Sequence, residues 1–281
     1  MNLLQPILVL GVMGIVFAFL LYFASTVFYV EVDPKVQEVA AALPGVNCGA
    51  CGYPGCDGLA NAIAAGQAPV TACPVGGEAV AAKLASIMGQ DASGMEKMIA
   101  VVKCQGDKSR AVDKYEFAGH GDCRAIAMNS GGNKLCPSGC LGGGSCMNAC
   151  EFGAIKIVNG LAIVDKDKCT GCKKCVDTCP KAIIEMMPYD RESVVLCSSH
   201  DKGKAVRSYC KVGCIGCTIC AKQYPEGFEI DNFLAHATYD PNNYDSEALE
   251  NAVSKCPNSC ISPEDHREEI LTGKTQEELT V

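Results

Sequence analysis

The spacing of apolar side chains changes along the chain, and each change predicts a different element. No side chain from Met1 to Val30 is charged, and residues 6–30 form a nearly unbroken apolar run. About 25 residues at ~1.5 Å each can cross a hydrocarbon core of ~30 Å. The pattern predicts one membrane-spanning helix within residues 1–30, with residues 7–30 in the bilayer and Tyr22 and Tyr29 suited to its interfaces. The competing pattern, a secretory signal, would carry a Lys/Arg n-region, a shorter apolar run and a small-x-small cleavage site. Residues 31–43 alternate as a short amphipathic helix with Pro34 near its start, and Pro44-Gly45 ends it. Residues 76–100 place Val80, Leu84, Ile87, Met95 and Ile99 at helical spacing, which predicts a spacer of one or two helices. Beyond residue 101 long periods disappear. Glu151-Phe-Gly-Ala-Ile-Lys-Ile157 and Lys181-Ala-Ile-Ile-Glu185 read as short strands between cysteine-rich loops. The stretch 263–281 is acidic and free of Cys, and reads as a solvated helix or a disordered tail.

Composition sharpens this picture at one point. The 281 residues include 21 Cys, 29 Gly and 13 Pro but no Trp, so apolar burial alone does not hold the long loops together. A net charge of −8 argues against binding of nucleic-acid phosphates. A hydrophobic content of 48% argues against disorder throughout.

The chain repeats itself. Val102-Lys103-Cys104 with Asp107-Lys108, Ala111-Val112 and Tyr115 parallels Val195-Leu196-Cys197 with Asp201-Lys202, Ala205-Val206 and Tyr209. Cys136-x3-Cys140-x5-Cys146 parallels Cys210-x3-Cys214-x5-Cys220, and the first copy carries an insertion that includes Cys123.

Three chemistries compete for these cysteines. Disulfides need an oxidising compartment, and Cys-x2-Cys-x2-Cys is too tight for separate bridges. Zinc favours paired Cys-x2-Cys arms, often with His. Cys169, Cys172, Cys175 and Cys179-Pro180 form the bacterial ferredoxin run, in which three close thiolates hold one cubane and the fourth serves a second. Gly143 stands where the middle Cys of the partner run would fall, and the expectation is that Cys136 replaces it. The expected sets are therefore Cys136, Cys140, Cys146 with Cys179, and Cys169, Cys172, Cys175 with Cys150.

In the second copy Tyr224 takes the position of the fourth Cys, and Ser246, Leu249 and Ala252 take the other three of the companion run. This joint loss implies one deleted cluster and one retained on Cys214, Cys217, Cys220 and Cys256, with Cys260 the alternative to Cys256. Cys104, Cys123, Cys197 and Cys210 remain, either as one cluster shared between the copies or as buried free thiols. Near the N-terminus Cys48, Cys51, Cys56 and Cys73 close a loop-and-helix unit whose alternatives are a cluster or a zinc knuckle. The triple Gly142–Gly144 is not a phosphate loop, since no strand precedes it and no Lys-Ser/Thr follows.

Taken together, the apolar N-terminus, the Asn47–Cys56 module with Cys73, the Val-Lys-Cys and Asp-Cys-Arg-Ala stretches, Cys-x3-Gly-Cys-Leu-Gly and Cys-Ser-Ser-His-Asp-Lys-Gly-Lys-Ala-Val resemble the B subunit of Rnf complexes. Those complexes are membrane ferredoxin:NAD oxidoreductases that move Na⁺ or H⁺. The resemblance covers residues 1–262 and departs from fuller members at Tyr224, Ser246, Leu249 and Ala252. It implies an α+β chain with one transmembrane helix, a small [4Fe–4S] loop-helix module and duplicated ferredoxin-like domains. The corresponding boundaries are an anchor at 1–30, the module at 31–75, a spacer at 76–100, a two-cluster domain at 101–190, a degenerate repeat at 191–262 and a tail at 263–281. The cysteine count itself predicts about five [4Fe–4S] clusters on twenty cysteines; the resemblance implies reduced soluble ferredoxin as donor, the other complex subunits as acceptors, and cluster domains on the cytoplasmic side of the cell membrane. No flavin or NAD is expected on this chain, which has no dinucleotide fingerprint. The alternative functions are a membrane-anchored polyferredoxin that reductively activates a corrinoid protein, and a zinc-rich scaffold. Lys166, Lys168, Lys173, Lys174 and Lys181 are either a candidate contact for ferredoxin or an ordinary solvated face.

Overall fold

The computed structural model describes residues 4–28, 33–91, 96–119, 121–191, 193–238 and 245–262. The tail 263–281, Tyr29 and Met95 lie outside them. The apolar N-terminus forms helix α1 (Leu4–Val27). Its Leu8–Val27 segment is long and apolar enough to cross a membrane, and none of it is buried against the rest of the molecule.

Helix α2 (Pro34–Ala42) starts where Pro34 pre-sets φ and the Asp33 carboxylate accepts the Lys35 N–H at 2.9 Å. It packs with α3 (Gly55–Ala64) and α4 (Gly77–Met88) around buried Val39, Leu59, Ile63 and Leu84. The expected spacer therefore divides. Its first half closes the N-terminal core, and its end is a strand, β1 (Met98–Val102), whose consecutive Ile-Ala-Val-Val side chains are all buried. A run apolar on both faces has no helical period, which is why the two states are hard to separate in sequence.

The first repeat follows. It contains α5 (Cys123–Met128), α6 (Ser145–Asn148), the hairpin β2 (Ile155–Val158)–β3 (Leu161–Val164), α7 (Lys174–Thr178) and β4 (Ile184–Pro188). Strand β4 returns antiparallel to β1, with Val102 opposite Ile184. The second repeat has β5 (Val194–Val195), α8 (Gly203–Tyr209), α9 (Ile219–Gln223), the hairpin β6 (Phe228–Asp231)–β7 (Leu234–Ala237), α10 (Ser246–Ser254) and β8 (Ile261–Ser262). Strand β8 pairs with β5 as β4 pairs with β1. Among the described residues there are four sheets, each two-stranded and antiparallel. Such small sheets are marginal alone, and the cysteines lie inside the cores they close.

Candidate metal centres

In the N-terminal module the Asn47 side chain accepts the Cys56 N–H at 2.7 Å and fixes the loop that carries Cys48, Cys51 and Cys56 against α3. Cys73 lies close to this loop. Burial raises its thiol, with further upward pressure from Cys51 and Cys56. Cys48 is felt in turn at Cys172.

The ferredoxin run lies close to Cys150. Burial pushes Cys175 up to about 12, aided by like charge from Cys169, Cys172 and Cys150. Ala100 N–H donates to Cys169 Sγ at 3.4 Å and Ala154 N–H to Cys150 Sγ at 3.3 Å. Gly171 has φ +72°, and a Cβ there would lie 2.7 Å from the Met98 carbonyl oxygen, so only Gly lets the loop press onto β1.

The next two sets differ from the expected partition. A cavity of about 340 Å³ is lined by Cys123, Cys140, Cys146 and Cys179. Another of about 310 Å³ is lined by Cys104, Cys136, Cys197 and Cys210. Cys123 and Cys136 have exchanged places relative to the sequence expectation. Gly143 explains the exchange. A Cβ at Gly143 would lie 2.9 Å from the Cys123 backbone nitrogen, so the missing side chain makes room for the start of α5. There Cys123 N–H donates to Ser145 Oγ at 2.7 Å, and that hydroxyl binds Asp122 at 2.9 Å. Cys136 faces the other way: burial lifts it to about 12, with further upward pressure from its neighbours Cys104, Cys197 and Cys210.

The last cavity, about 350 Å³, is lined by Cys214, Cys217, Cys220, Cys256 and Cys260. Cys256 Sγ and Cys260 Sγ are 3.5 Å apart. The hydrogen bond from Cys260 pulls Cys256 down to about 5 and Cys214 to about 6 despite burial. The same bonds, with burial, push the Cys260 thiol far up. Cys260 thus sits against both Cys214 and Cys256. In the lost companion site, Tyr224, Leu249 and Ala252 are buried with Phe228 in one apolar cluster.

These environments fit cubane clusters. Burial, with like-charge crowding, raises several of these thiols, Cys146 to about 12 and Cys140, Cys197 and Cys220 to about 11. Thiolate ligation there requires positive charge delivered into the cavity. Among the described residues no three donors gather on the position of a single ion. In three of the sets the sulfurs instead line a shared pocket.

Neighbouring sets form a row. Cys48 is felt at Cys172, Cys175 at Cys146, Cys104 at Cys140 and Cys214 at Cys197. Sequence reasoning missed Lys134, which is 2% exposed, donates to the Gly106 carbonyl, and is felt at both Cys140 and Cys210. Its only sequence signal is a lysine two positions before Cys136.

The expected lysine patch is largely occupied within the molecule. Lys174 pairs with Glu151, Lys168 pairs with Asp165 at 3.1 Å, and Lys181 donates to the Gly131 and Pro137 carbonyls at 2.7 Å each.

Comparison with known proteins agrees with this chemistry. Family models described as a putative Fe–S cluster, a 4Fe–4S binding domain and a 4Fe–4S single cluster domain of ferredoxin I match residues 43–75, 162–185 and 211–263. The chain is 45% identical over 92% of its length to the B subunit of the Na(+)-translocating ferredoxin:NAD(+) oxidoreductase complex of Acetobacterium woodii, covering 77% of that protein. It is 38% identical over 92% of its length to the B subunit of an ion-translocating oxidoreductase complex of Methanosarcina acetivorans, covering 97% of it. The B subunit of a proton-translocating ferredoxin:NAD(+) oxidoreductase complex of Clostridium ljungdahlii is 39% identical over 91% of this chain and 90% of its own length.

Proposed function

Because the chain belongs to the family of B subunits of ion-translocating ferredoxin:NAD oxidoreductase (Rnf) complexes, we propose that it carries five [4Fe–4S] clusters in a row and conducts electrons from reduced soluble ferredoxin to the other subunits. The row of cysteine sets is the observation that carries this reading. The sets are Cys48, Cys51, Cys56, Cys73; Cys150, Cys169, Cys172, Cys175; Cys123, Cys140, Cys146, Cys179; Cys104, Cys136, Cys197, Cys210; and Cys214, Cys217, Cys220, Cys256.

Bound in such a set, a cluster supplies reversible uptake and release of one electron. The chain's own residues do the rest. Apolar cores exclude water from the sulfurs, and N–H groups such as those of Ala100 and Ala154 direct hydrogen bonds at them. Cys260 donates to Cys214 and Cys256 and is left out of ligation. The buried ammonium of Lys134 offsets thiolate charge between two sets.

Helix α1 moors the first set at the bilayer, since Cys48 follows α1 by about twenty residues and α2 alone lies described between them. The domain plan that follows is an anchor to residue 30, a module running through α4, a two-set repeat and a one-set repeat, all on the cytoplasmic side where ferredoxin is found. The alternatives of a corrinoid-protein activator and a zinc scaffold lack a supporting observation.

The test mixes anaerobic, dithionite-free complex with stoichiometric reduced ferredoxin in a stopped-flow spectrometer. The expected result is bleaching of this chain's iron–sulfur absorption as ferredoxin reoxidises. Ferredoxin that stays reduced would refute the proposal.

A further inference from the structure

The end of the row opposite the membrane anchor differs from the rest in exposure and charge. Of the 21 cysteines only Cys217 is exposed. Residues 202–222, which contain its loop, carry Lys202, Lys204, Arg207, Lys211 and Lys222 and no carboxylate, in a chain of net charge −8. Residues 31–100, which contain the first set, carry seven carboxylates against three lysines.

The fold brings these charges to the loop. A Cβ on Gly203, at the start of α8, would lie 2.6 Å from the Ile215 carbonyl, so α8 rests on the Cys214–Cys217 segment. Lys202 lies 5.9 Å from the ring centre of Phe233, and a Cβ at Gly216 would lie 2.7 Å from the Phe233 carbonyl. Lys222 is in the last turn of α9, and Lys255 reaches that helix through Gln223 at 2.6 Å. Lys202, Lys222 and Lys255 are exposed, and none pairs with a carboxylate among the described residues.

Phe233 adds a second, independent signal. It holds φ +65°, a left-handed conformation that a bulky residue rarely adopts, and it is 43% exposed. The corresponding hairpin turn of the first repeat is Asn159-Gly160, where the glycine takes φ +75° without strain. The second repeat keeps the turn and holds a partly exposed aromatic ring beside the exposed cysteine, at a cost in backbone strain.

We propose that this face, with Phe233 as apolar anchor and Lys202, Lys222 and Lys255 as a cationic rim, is the docking surface for an acidic ferredoxin. The proposal rests on the function stated above and names where the electron enters. One electron leaves the reduced donor and one is gained by this chain at the Cys214–Cys256 set, with no bond made and no proton moved. A basic rim facing an acidic carrier raises the encounter rate and makes it depend on salt.

The experiment uses the anaerobically purified whole complex and an oxidised, acidic two-[4Fe–4S] ferredoxin, with Kd measured by biolayer interferometry across ionic strength. The triple substitution Lys202→Glu, Lys222→Glu, Lys255→Glu is expected to weaken binding at least tenfold at low salt. The difference should shrink as salt rises, while iron content and the EPR spectrum of the dithionite-reduced complex stay unchanged. Phe233→Gly, which relieves the backbone, is expected to raise the melting temperature yet weaken binding several-fold. Unaltered Kd and salt slope in the triple variant would overturn the proposal, as would an equal loss from Lys166→Glu, Lys168→Glu and Lys173→Glu. An unsubstituted complex that neither binds nor oxidises ferredoxin would remove the function itself; one that does both while the triple variant matches it would remove only this surface.

Discussion

The two repeats began from one plan and now solve the same packing problem with different materials. The first encloses two cysteine sets between β1–β4 and β2–β3. The second keeps one set. Where its companion would be, Tyr224, Phe228, Leu249 and Ala252 are buried, with the Tyr224 and Phe228 rings edge to face at 6.3 Å. A cluster and a handful of apolar side chains are thus interchangeable as the centre of so small a domain. Under the proposed function only a cluster conducts, which makes the second repeat a terminus and the first a passage. The flanking motif diverged as well. Asp107 is held by Ser109 and Arg110, whereas its counterpart Asp201 accepts the Tyr209 hydroxyl at 2.7 Å.

The largest expected effect tests which repeat owns which ligand. Cys123→Ser should cost about four irons and remove the same EPR signal as Cys179→Ser, while Cys136→Ser should mimic Cys210→Ser. Spectra with the opposite pairing would restore the partition expected from sequence. Next, Leu249→Ala should destabilise the second repeat by about 2–5 kcal/mol in denaturant melts without loss of iron, because it opens a cavity in an apolar core. Iron loss in that variant would mean the core still serves a cluster.

A smaller effect is expected from Asp107→Asn. Burial opposes the Asp107 charge, but hydrogen bonds from Arg110 and Ser109 hold its carboxyl at about 2. A carboxyl depressed on folding stabilises the fold above its ordinary value of 3.8 and loses that contribution as pH falls toward 2. The substitution should therefore cost about 1–2 kcal/mol at pH 7, and the gap from the parent should close between pH 4 and about 2. The smallest is Cys260→Ala, which should keep all iron yet lower the midpoint potential of the terminal cluster by on the order of tens of millivolts, through loss of the donor to Cys214 and Cys256. Loss of about four irons would instead make Cys260 a ligand.

Much of this was legible in the chain. The uncharged N-terminus, the Cys169–Cys179 run and the duplicated Cys104 and Cys197 borders each follow from spacing, because ligands within one loop must obey local geometry. The partition of Cys123 and Cys136 was not legible. It depends on the insertion folding back so that α5 fills the space above Gly143, a contact between distant residues that no spacing encodes. The strand β1 was hidden for a related reason: buried on both faces, it shows no alternation. The internal partners of the lysines around Lys173 were not legible either, because charge along the sequence does not reveal which lysines pair across the fold, as Lys174 does with Glu151.

Conduction along the chain requires that all five sets of four thiolates hold iron–sulfur cubanes. Quantitative iron, zinc and acid-labile sulfide analysis of the anaerobically purified complex decides this, with the contribution of this chain isolated against a complex that lacks it. About twenty irons and as many sulfides per chain are expected, with negligible zinc. Stoichiometric zinc, or a chain that adds no iron to the complex, would contradict it.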